Sequence, residues 1–371
     1  MPIRVKHFGY LVLLLLLGVN LLITGLLVFS AYSPYVQPVE HPVRSCFGLA
    51  FPIFLILNGL FLLFWLIIRQ YKAALLPVLG FVVCYGPLLT YMPINRHTSN
   101  VPEKSIKLLS YNIMGFNNDV KTEEGNPILN YLKNSGADIL CLQEYRTLTS
   151  SKKLTQKDVD QALKDYPYHN IQLAGEAKGN LNQLACYSKY PILSARRVDY
   201  DSQSNGSVAY ELLVEGDTLL LINNHLESNK LTKADKDVYT DMLESPEKGK
   251  VKSGLRLLVG KLAEASALRA PQADSVACLV KHSRHKDVVV CGDFNDSPLS
   301  YAHHAVTRHL DDAFRQSGCG FGISYNQNRF YFRIDHIFVS KNLKTYNCTV
   351  DRSIKDSDHY PVWCYIGRRA D

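Results

Sequence analysis

Acidic residues are almost missing from the first hundred positions, where Glu40 stands alone. Charge of either sign is missing from three apolar stretches inside that region, 10–29, 49–68 and 73–92. Uncharged spans are poor material for a channel or transporter, whose pathways need buried ionisable groups. No small-residue cleavage site follows the first stretch and two more stretches come after it, so a removable signal peptide is a poor reading. The nine cysteines are odd in number and show no paired metal spacing, which argues against a zinc site or a disulfide framework. Cys141, Cys186, Cys291 and Cys364 lie in apolar, strand-like runs and read as buried thiols. Internal repeats and low-complexity tracts are also lacking. A charge excess is missing from the remainder of the chain. Of 41 basic and 34 acidic residues, 35 and 33 follow position 100, so the +7 of the whole chain falls to +2 there. That balance gives no electrostatic argument for a nucleic-acid partner.

The apolar stretches themselves are each long enough to cross a hydrocarbon core of ~30 Å. Arg4 and Lys6 precede the first, and Arg69 and Lys72 fill the turn between the second and third. Cytoplasmic loops are enriched in such residues, so both ends belong to the cytoplasm. Three spans then put everything after Met92 on the far side. Arg44, Arg96, Lys104 and Lys107 weaken this bias. Asn58 is the strongly polar residue of the second span and is suited to bonding between helices. The chain therefore divides into an anchor with three transmembrane helices (1–94), a polar linker (95–104) and a soluble domain (105–371).

In the soluble part, apolar runs of strand length alternate irregularly with helical patterns. Strands are expected at 105–112, 138–143, 184–187, 209–214, 218–223, 287–290, 333–339, 345–350 and 362–366. A short helix is expected over Pro127–Asn134, closed by Gly136. Residues 229–252 form a charged insertion with no apolar period. Residues 253–282 have helical spacing, interrupted by Pro271. This mixture predicts an α/β fold, a four-layer sandwich of two mixed β-sheets flanked by helices.

The run CGDFNDSP at 291–298 organises the domain. A buried β-branched strand, DVVV, runs into a glycine and short polar residues. Strand ends of this kind present ligand groups in α/β folds. Asp293 and Asn295 are two apart and project to one side of an extended segment. Other strands end the same way: Asn112 in SYNI, Glu144 in LQEY, His225 in NNHL, Asp335 in RIDHI, and Asp358 with His359 in SDHYP. Carboxylates, amides and imidazoles gathered at one edge suit a hard divalent cation, Mg2+ or Mn2+. They also suit hydrolysis of a phosphoester, which needs a polarised water and stabilisation of the leaving oxygen.

Taken in order, SYN, LQE, NHL, GDFN, IDHI and SDH resemble the motifs of the endonuclease/exonuclease/phosphatase family, which includes DNase I. The resemblance covers residues 105–366. It implies a DNase I-like fold and divalent-metal-dependent phosphoester hydrolysis. It implies that Glu144 is the main metal ligand, with Asn112 and Asp358 completing or supporting the metal shell. Asp293 would orient the attacking water and Asn295 would contact the phosphoryl group. His359 would act on phosphate and nucleophile, oriented by Asp335. His225 stands where apurinic endonucleases have Tyr, which points away from abasic-site repair.

Several neighbours have plainer readings. His336 should face away from Asp335 by strand alternation. Arg269 and Gln272 read as packing or ion-pair residues. His303 and His304 should diverge on a helix. Lys230, Lys233, Lys236, Lys248, Lys250 and Lys252 are interleaved with acids and read as a solvated face, with a flap over the site as the lesser alternative. The expected protein is an integral membrane hydrolase of the inner or plasma membrane. Its active site is extracytoplasmic and acts on a nucleic acid or a phospholipid head group. The lipid bilayer is its partner through the anchor. A non-catalytic binding module is disfavoured by the complete motif set.

Overall fold

The computed structural model describes residues 2–119, 125–149, 153–177, 180–202, 204–244, 248–327 and 330–369. The side chains of Arg4, Lys6, Lys248 and Lys250 lie outside the described set. The chain opens with helix α1 (Pro2–Tyr32), followed by the short α2 (Pro42–Ser45) and then α3 (Phe51–Ile67). The segments Tyr10–Tyr35 and Pro42–Ile67 are long and apolar enough to cross a membrane. The third apolar stretch is not one straight helix. It is α4 (Tyr71–Val83) and α5 (Tyr85–Tyr91), bent by 59°. The physical reason is Pro87, which has no N–H for the Val83 carbonyl one turn earlier. The Tyr32 hydroxyl donates to that carbonyl at 2.9 Å instead.

Polar contacts tie these helices together, as Asn58 led one to expect. Thr24 Oγ1 donates to Asn58 Oδ1 at 2.8 Å, and Asn58 Nδ2 donates to the Pro77 carbonyl at 3.0 Å. Trp65 Nε1 donates to Asn20 Oδ1 at 2.8 Å. Away from water, each satisfied group avoids a large desolvation penalty.

The domain beyond holds strands β1 (Ile106–Asn112), β2 (Ile139–Tyr145), β3 (Tyr168–Ala177), β4 (Asn180–Ser188), β5 (Ile192–Arg197), β6 (Gly206–Val214) and β7 (Asp217–His225). They continue as β8 (Asp287–Asp293), β9 (Asp311–Asp312), β10 (Tyr325–Gln327), β11 (Phe330–Phe332), β12 (Asp335–Val339), β13 (Leu343–Val350) and β14 (Val362–Arg368). One sheet has the order β13-β14-β1-β2-β4-β3 and the other β5-β6-β7-β8-β12-β9. Both are mixed. Each has one parallel pair near its centre, β1 with β2 and β7 with β8. Such parallel pairs send both C-terminal ends to one edge, so Asn112, Glu144, His225 and Asp293 emerge together.

Alternation sorts the side chains into layers. Leu108, Cys141, Leu184, Leu221, Val289, Cys291 and Cys364 fill the space between the sheets. Leu109, Leu140 and Leu142 face out under Ile128, Leu132 and Val159 of flanking helices. Ile222, Val288 and Val290 face out on the other side under Ala273, Val276 and Ala302. The result is the four-layer sandwich expected, with Cys141, Cys186, Cys291 and Cys364 buried.

Two expectations need correction. The charged insertion contains a helix, Lys233–Glu244. Thr232 and Asp235 cap it reciprocally: Thr232 N donates to Asp235 Oδ2 at 2.7 Å and Asp235 N to Thr232 Oγ1 at 3.3 Å. The following helix runs without interruption over Lys248–Lys281 and carries Pro271 inside it. Tertiary bonds hold that stretch. Arg269 Nη1 donates to the Glu227 carbonyl at 3.0 Å, and the Glu227 N–H donates to Gln272 Oε1 at 2.8 Å.

Candidate active site

The parallel and antiparallel ladders place the polar strand ends in register. Asp293 lies opposite His225 on β7 and opposite Asp335 on β12. Gly292 permits this. Its φ is +128°, and a Cβ there would sit 2.0 Å from the Asn224 carbonyl oxygen, so β8 approaches β7 only with glycine. Glu144 lies at an irregularity in the β2–β4 pairing and has φ +51°. A bulge of this kind re-aims a side chain. Asn295 also adopts the left-handed region, with φ +52°.

Asp293 is the hub. Its Oδ2 accepts from Asn112 Nδ2 at 3.1 Å and lies 3.6 Å from both His225 Nε2 and His359 Nε2. Its Oδ1 accepts from Asn295 N at 2.8 Å. Asn112 Nδ2 also reaches Glu144 Oε1 at 3.0 Å, while Asn112 Oδ1 accepts from Met114 N at 3.2 Å. Asn112 therefore braces two carboxylates. Asp335 Oδ2 and His359 Nδ1 are 2.8 Å apart, as the alternation argument required. His336 points the other way, and its Nε2 donates to the Asp296 carbonyl at 2.9 Å among Phe294, His303 and Phe338.

The two site histidines differ in charge. Burial disfavours the His359 imidazolium, but Asp335 and Asp293 outweigh it and hold its pKa well above the ordinary value. For His225, burial wins over Asp293 and the pKa is lowered. Asn182 fixes the tautomer of His225. Asn182 Nδ2 donates to the Ser204 carbonyl at 2.8 Å, so the same NH2 group is the one 3.1 Å from His225 Nδ1. Nδ1 is then the acceptor, and Nε2–H points at Asp293 and at Glu144 Oε1, 3.8 Å away. Burial also raises the Asp293 carboxyl, with His359 opposing the rise. Sequence reasoning missed Asn182, which carries no motif. It also missed Ser357, whose Oγ donates to the Asn112 carbonyl at 2.7 Å and accepts from His359 N at 3.2 Å.

All eight candidate residues meet around one opening. Glu144, His225, Asp293, Asn295, Asp358 and His359 line a cavity of about 240 Å³. Asn112 and Asp335 stand behind them. Arg269 is a brace: its Nη2 is 3.1 Å from Asp296 Oδ2, and its Nη1 bonds Asn229 Oδ1 at 2.9 Å. Lys236 reaches the cavity wall and donates to the Tyr325 hydroxyl at 2.7 Å. His303 and His304 diverge, one to Asp312 at 3.1 Å and one onto the Tyr35 ring.

The donor set fits a hard cation. Four carboxylates, Glu144, Asp293, Asp335 and Asp358, converge on two histidines. Asp335 Oδ1 is buried without a hydrogen-bond partner. One oxygen each of Asp293 and Asp335 and a ring nitrogen of His359 lie within 4.8 Å of one another. Several carboxylates gathered around the His359 imidazolium leave a surplus of negative charge, which favours a bound cation.

Residues 109–359 match the profile of the Endonuclease/Exonuclease/phosphatase family. The chain belongs to that family. Residues 13–91 match a second profile, described as a domain of unknown function (DUF8431). No curated protein sequence matches the chain. The endonuclease/exonuclease/phosphatase from Beutenbergia cavernae DSM 12333 is 15% identical, with 72% of each chain covered and a TM-score of 0.50. The human Nocturnin catalytic domain with bound sulfate anion is 15% identical, with 72% of this chain and 95% of that one covered and a TM-score of 0.49. D. rerio TDP2 complexed with single strand DNA product is 16% identical, with 71% and 100% covered and a TM-score of 0.49. The likeness to the first shows a shared fold and nothing finer. Family membership makes the fold that of a phosphoester hydrolase.

Proposed function

We propose that this protein is a membrane-anchored phosphoester hydrolase that works with Mg2+ or Mn2+ on the extracytoplasmic side of the inner or plasma membrane. The observation that carries this reading is the convergence of Glu144, Asp293, Asp358 and two oppositely shifted histidines on one cavity, with Asp335 bonded to His359 behind it. In this reading the domains divide as anchor (1–94), linker (95–104) and catalytic unit (105–371). Glu144 and Asp358 would hold the cation, with Asn112 bonded to Glu144. When bound, the cation draws charge from a phosphoryl oxygen. Asp293 orients the attacking water and takes its proton as the new P–O bond forms. His359, kept cationic by Asp335, neutralises a phosphoryl oxygen. His225, neutral with Nε2–H forward, and Asn295 hold the phosphoryl group from the other side.

The test is hydrolysis of a generic diester such as bis(4-nitrophenyl) phosphate by the full chain in detergent. Activity should vanish after thorough chelation and return with Mg2+ or Mn2+. Full activity in EDTA would refute the metal-dependent mechanism. The second reading, a nucleic-acid substrate, gains little from the near-neutral charge of this part of the chain.

A further inference from the structure

The anchor does more than tether. Most residues lining the cavity come from the catalytic fold, but Ser45, Cys46 and Leu49 also line it. Ser45 ends α2, and Cys46 and Leu49 lie in the tight 3-10 loop that joins it to α3. The loop is seated, not loose. A Cβ on Gly48 would lie 1.9 Å from the Leu299 carbonyl oxygen, so the two backbones touch. Leu299 in turn is buried among Leu27, Ala31, Phe51 and Cys84 of the anchor. The Arg333 guanidinium donates to the Thr90 carbonyl at the end of α5, and Gln37 Nε2 donates to the Tyr301 hydroxyl at 3.3 Å. Membrane helices and catalytic unit thus share one packed junction.

Leu49, Leu262, Leu299 and Phe332 also line this cavity, so it offers apolar side chains as well as carboxylates. Phe332 and Ser297 also line a second cavity, with Pro52 and Tyr91 of the anchor and with Phe321 and Tyr331. Phe321 and Tyr331 are exposed large aromatics at the level where α5 ends. Aromatic side chains at that level match the water–lipid boundary.

We propose that the substrate is a membrane lipid phosphoester, its hydrocarbon chain lying against Leu49, Leu262, Leu299 and Phe332 and its phosphoryl group at the carboxylate end. This deepens the function proposed above and rests on it. Water adds to phosphorus, the P–O bond to the leaving alcohol breaks, and the leaving oxygen takes up a proton. The water-soluble product departs and the chain-bearing product returns to the bilayer. The anchor loop then sets specificity as well as position.

The test uses the full chain in mixed micelles. Substrates are phosphatidylcholine, phosphatidylethanolamine, phosphatidylglycerol, phosphatidylinositol and sphingomyelin, each as a long-chain and a short-chain form. Bis(4-nitrophenyl) phosphate and a single-stranded oligonucleotide are the other arms. At least one long-chain lipid should exceed its short-chain form in kcat/KM by about tenfold or more, the scale of discrimination in an apolar pocket. Leu49→Gln and Leu262→Gln, both at half-buried positions, should each lower that ratio by roughly tenfold. Turnover of the generic diester or the oligonucleotide, with no lipid preferring its long-chain form, would overturn the proposal and leave the hydrolase intact. So would a chain-length preference that neither variant moves. Failure to hydrolyse any of these esters with Mg2+ or Mn2+ would instead overturn the function on which the proposal rests.

Discussion

Asp293 serves several partners through one oxygen: the Asn112 amide and the two histidines all meet Oδ2. Asp293→Asn is nearly isosteric and can still accept from Asn295 N. In the proposed mechanism it loses the charge that orients water and supports the His359 imidazolium. The loss should fall on kcat by at least ~100-fold, the scale of a general base. Thermal melts should show folding intact, because one of four crowded carboxylates is relieved. His359→Ala should be comparably damaging, and the double variant should lose far less than the product of the two. His336→Ala gives the opposite pattern. Its side chain fills an aromatic core and bonds the Asp296 carbonyl, so the melting temperature should drop by several degrees. Its kcat should stay within a few-fold. An inactive His336→Ala beside an active Asp293→Asn would place the chemistry on the wrong face of β12. The opposite directions of Asp335 and His336 were legible because strand alternation sets which way each side chain faces. Asn182 was not legible. It acts through the tautomer of a neighbour 43 positions away, and no local pattern records that.

Elements were legible where packing repeats in the sequence. The inner strands read well because their apolar faces alternate. The edge strands β3 and β5 escaped notice, since Tyr168, Leu193 and half of their neighbours face solvent and break the pattern. The helix over Lys233–Glu244 escaped for another reason. Its signal is the Thr232–Asp235 cap and not an apolar period, and its charges are satisfied from outside, as by Lys261 at 2.5 Å from Asp235. At this scale Gly292 is the weak point of the sheet. Gly292→Ala would force a Cβ to within 2.0 Å of the Asn224 carbonyl at a φ of +128°. Backbone strain of this sort costs about 1–3 kcal/mol before any clash is counted. The variant should fail to give protease-resistant protein. A Gly292→Ala protein with a wild-type melt would refute the close approach of β7 and β8. Asp312 offers a pH test in the same sheet. Burial opposes its charge, but the His303 bond, with Arg333 and His336 nearby, holds its carboxyl far below the usual range. A depressed folded pKa contributes stability that is fully present above the unfolded value near ~3.9 and is lost as pH falls through the folded one. Asp312→Asn keeps the cap on Phe314 N and loses the charge. It should cost about 2 kcal/mol at pH 7 and flatten the acid limb of stability against pH, as followed by urea melts. An acid limb as steep as that of wild type would remove Asp312 from the account.

At the scale of the whole molecule, the sequence announces an anchor and a catalytic unit but not their docking. Gly48 against Leu299, Tyr35 on His304 and Thr90 under Arg333 are contacts between residues more than two hundred positions apart. Composition cannot encode them, and only the folded chain brings them together. They do bear on topology. The end of α1, the start of α3 and the end of α5 all meet the catalytic unit through Tyr35, Gly48 and Thr90. The turn at Arg69 and Lys72 must then lie at the opposite end of the bundle, along with the start of α1. That arrangement needs three crossings, with the bent α4–α5 pair counted as one. On the proposed orientation, Lys and Arg at the far end put it in the cytoplasm and the catalytic unit on the other side. A phosphatase reporter that matures only outside the cytoplasm, fused after Asp371, should be active. A fluorescent protein that matures only inside should be dark at that position and bright when inserted in the turn between Arg69 and Lys72. Removing the positive charge of that turn with Arg69→Gln and Lys72→Gln, while adding lysines beside Tyr35, should shift part of the population to the inverted form. A bright fluorescent fusion after Asp371 in the unaltered protein would reverse the orientation, and the substrate would then have to be sought on the cytoplasmic face.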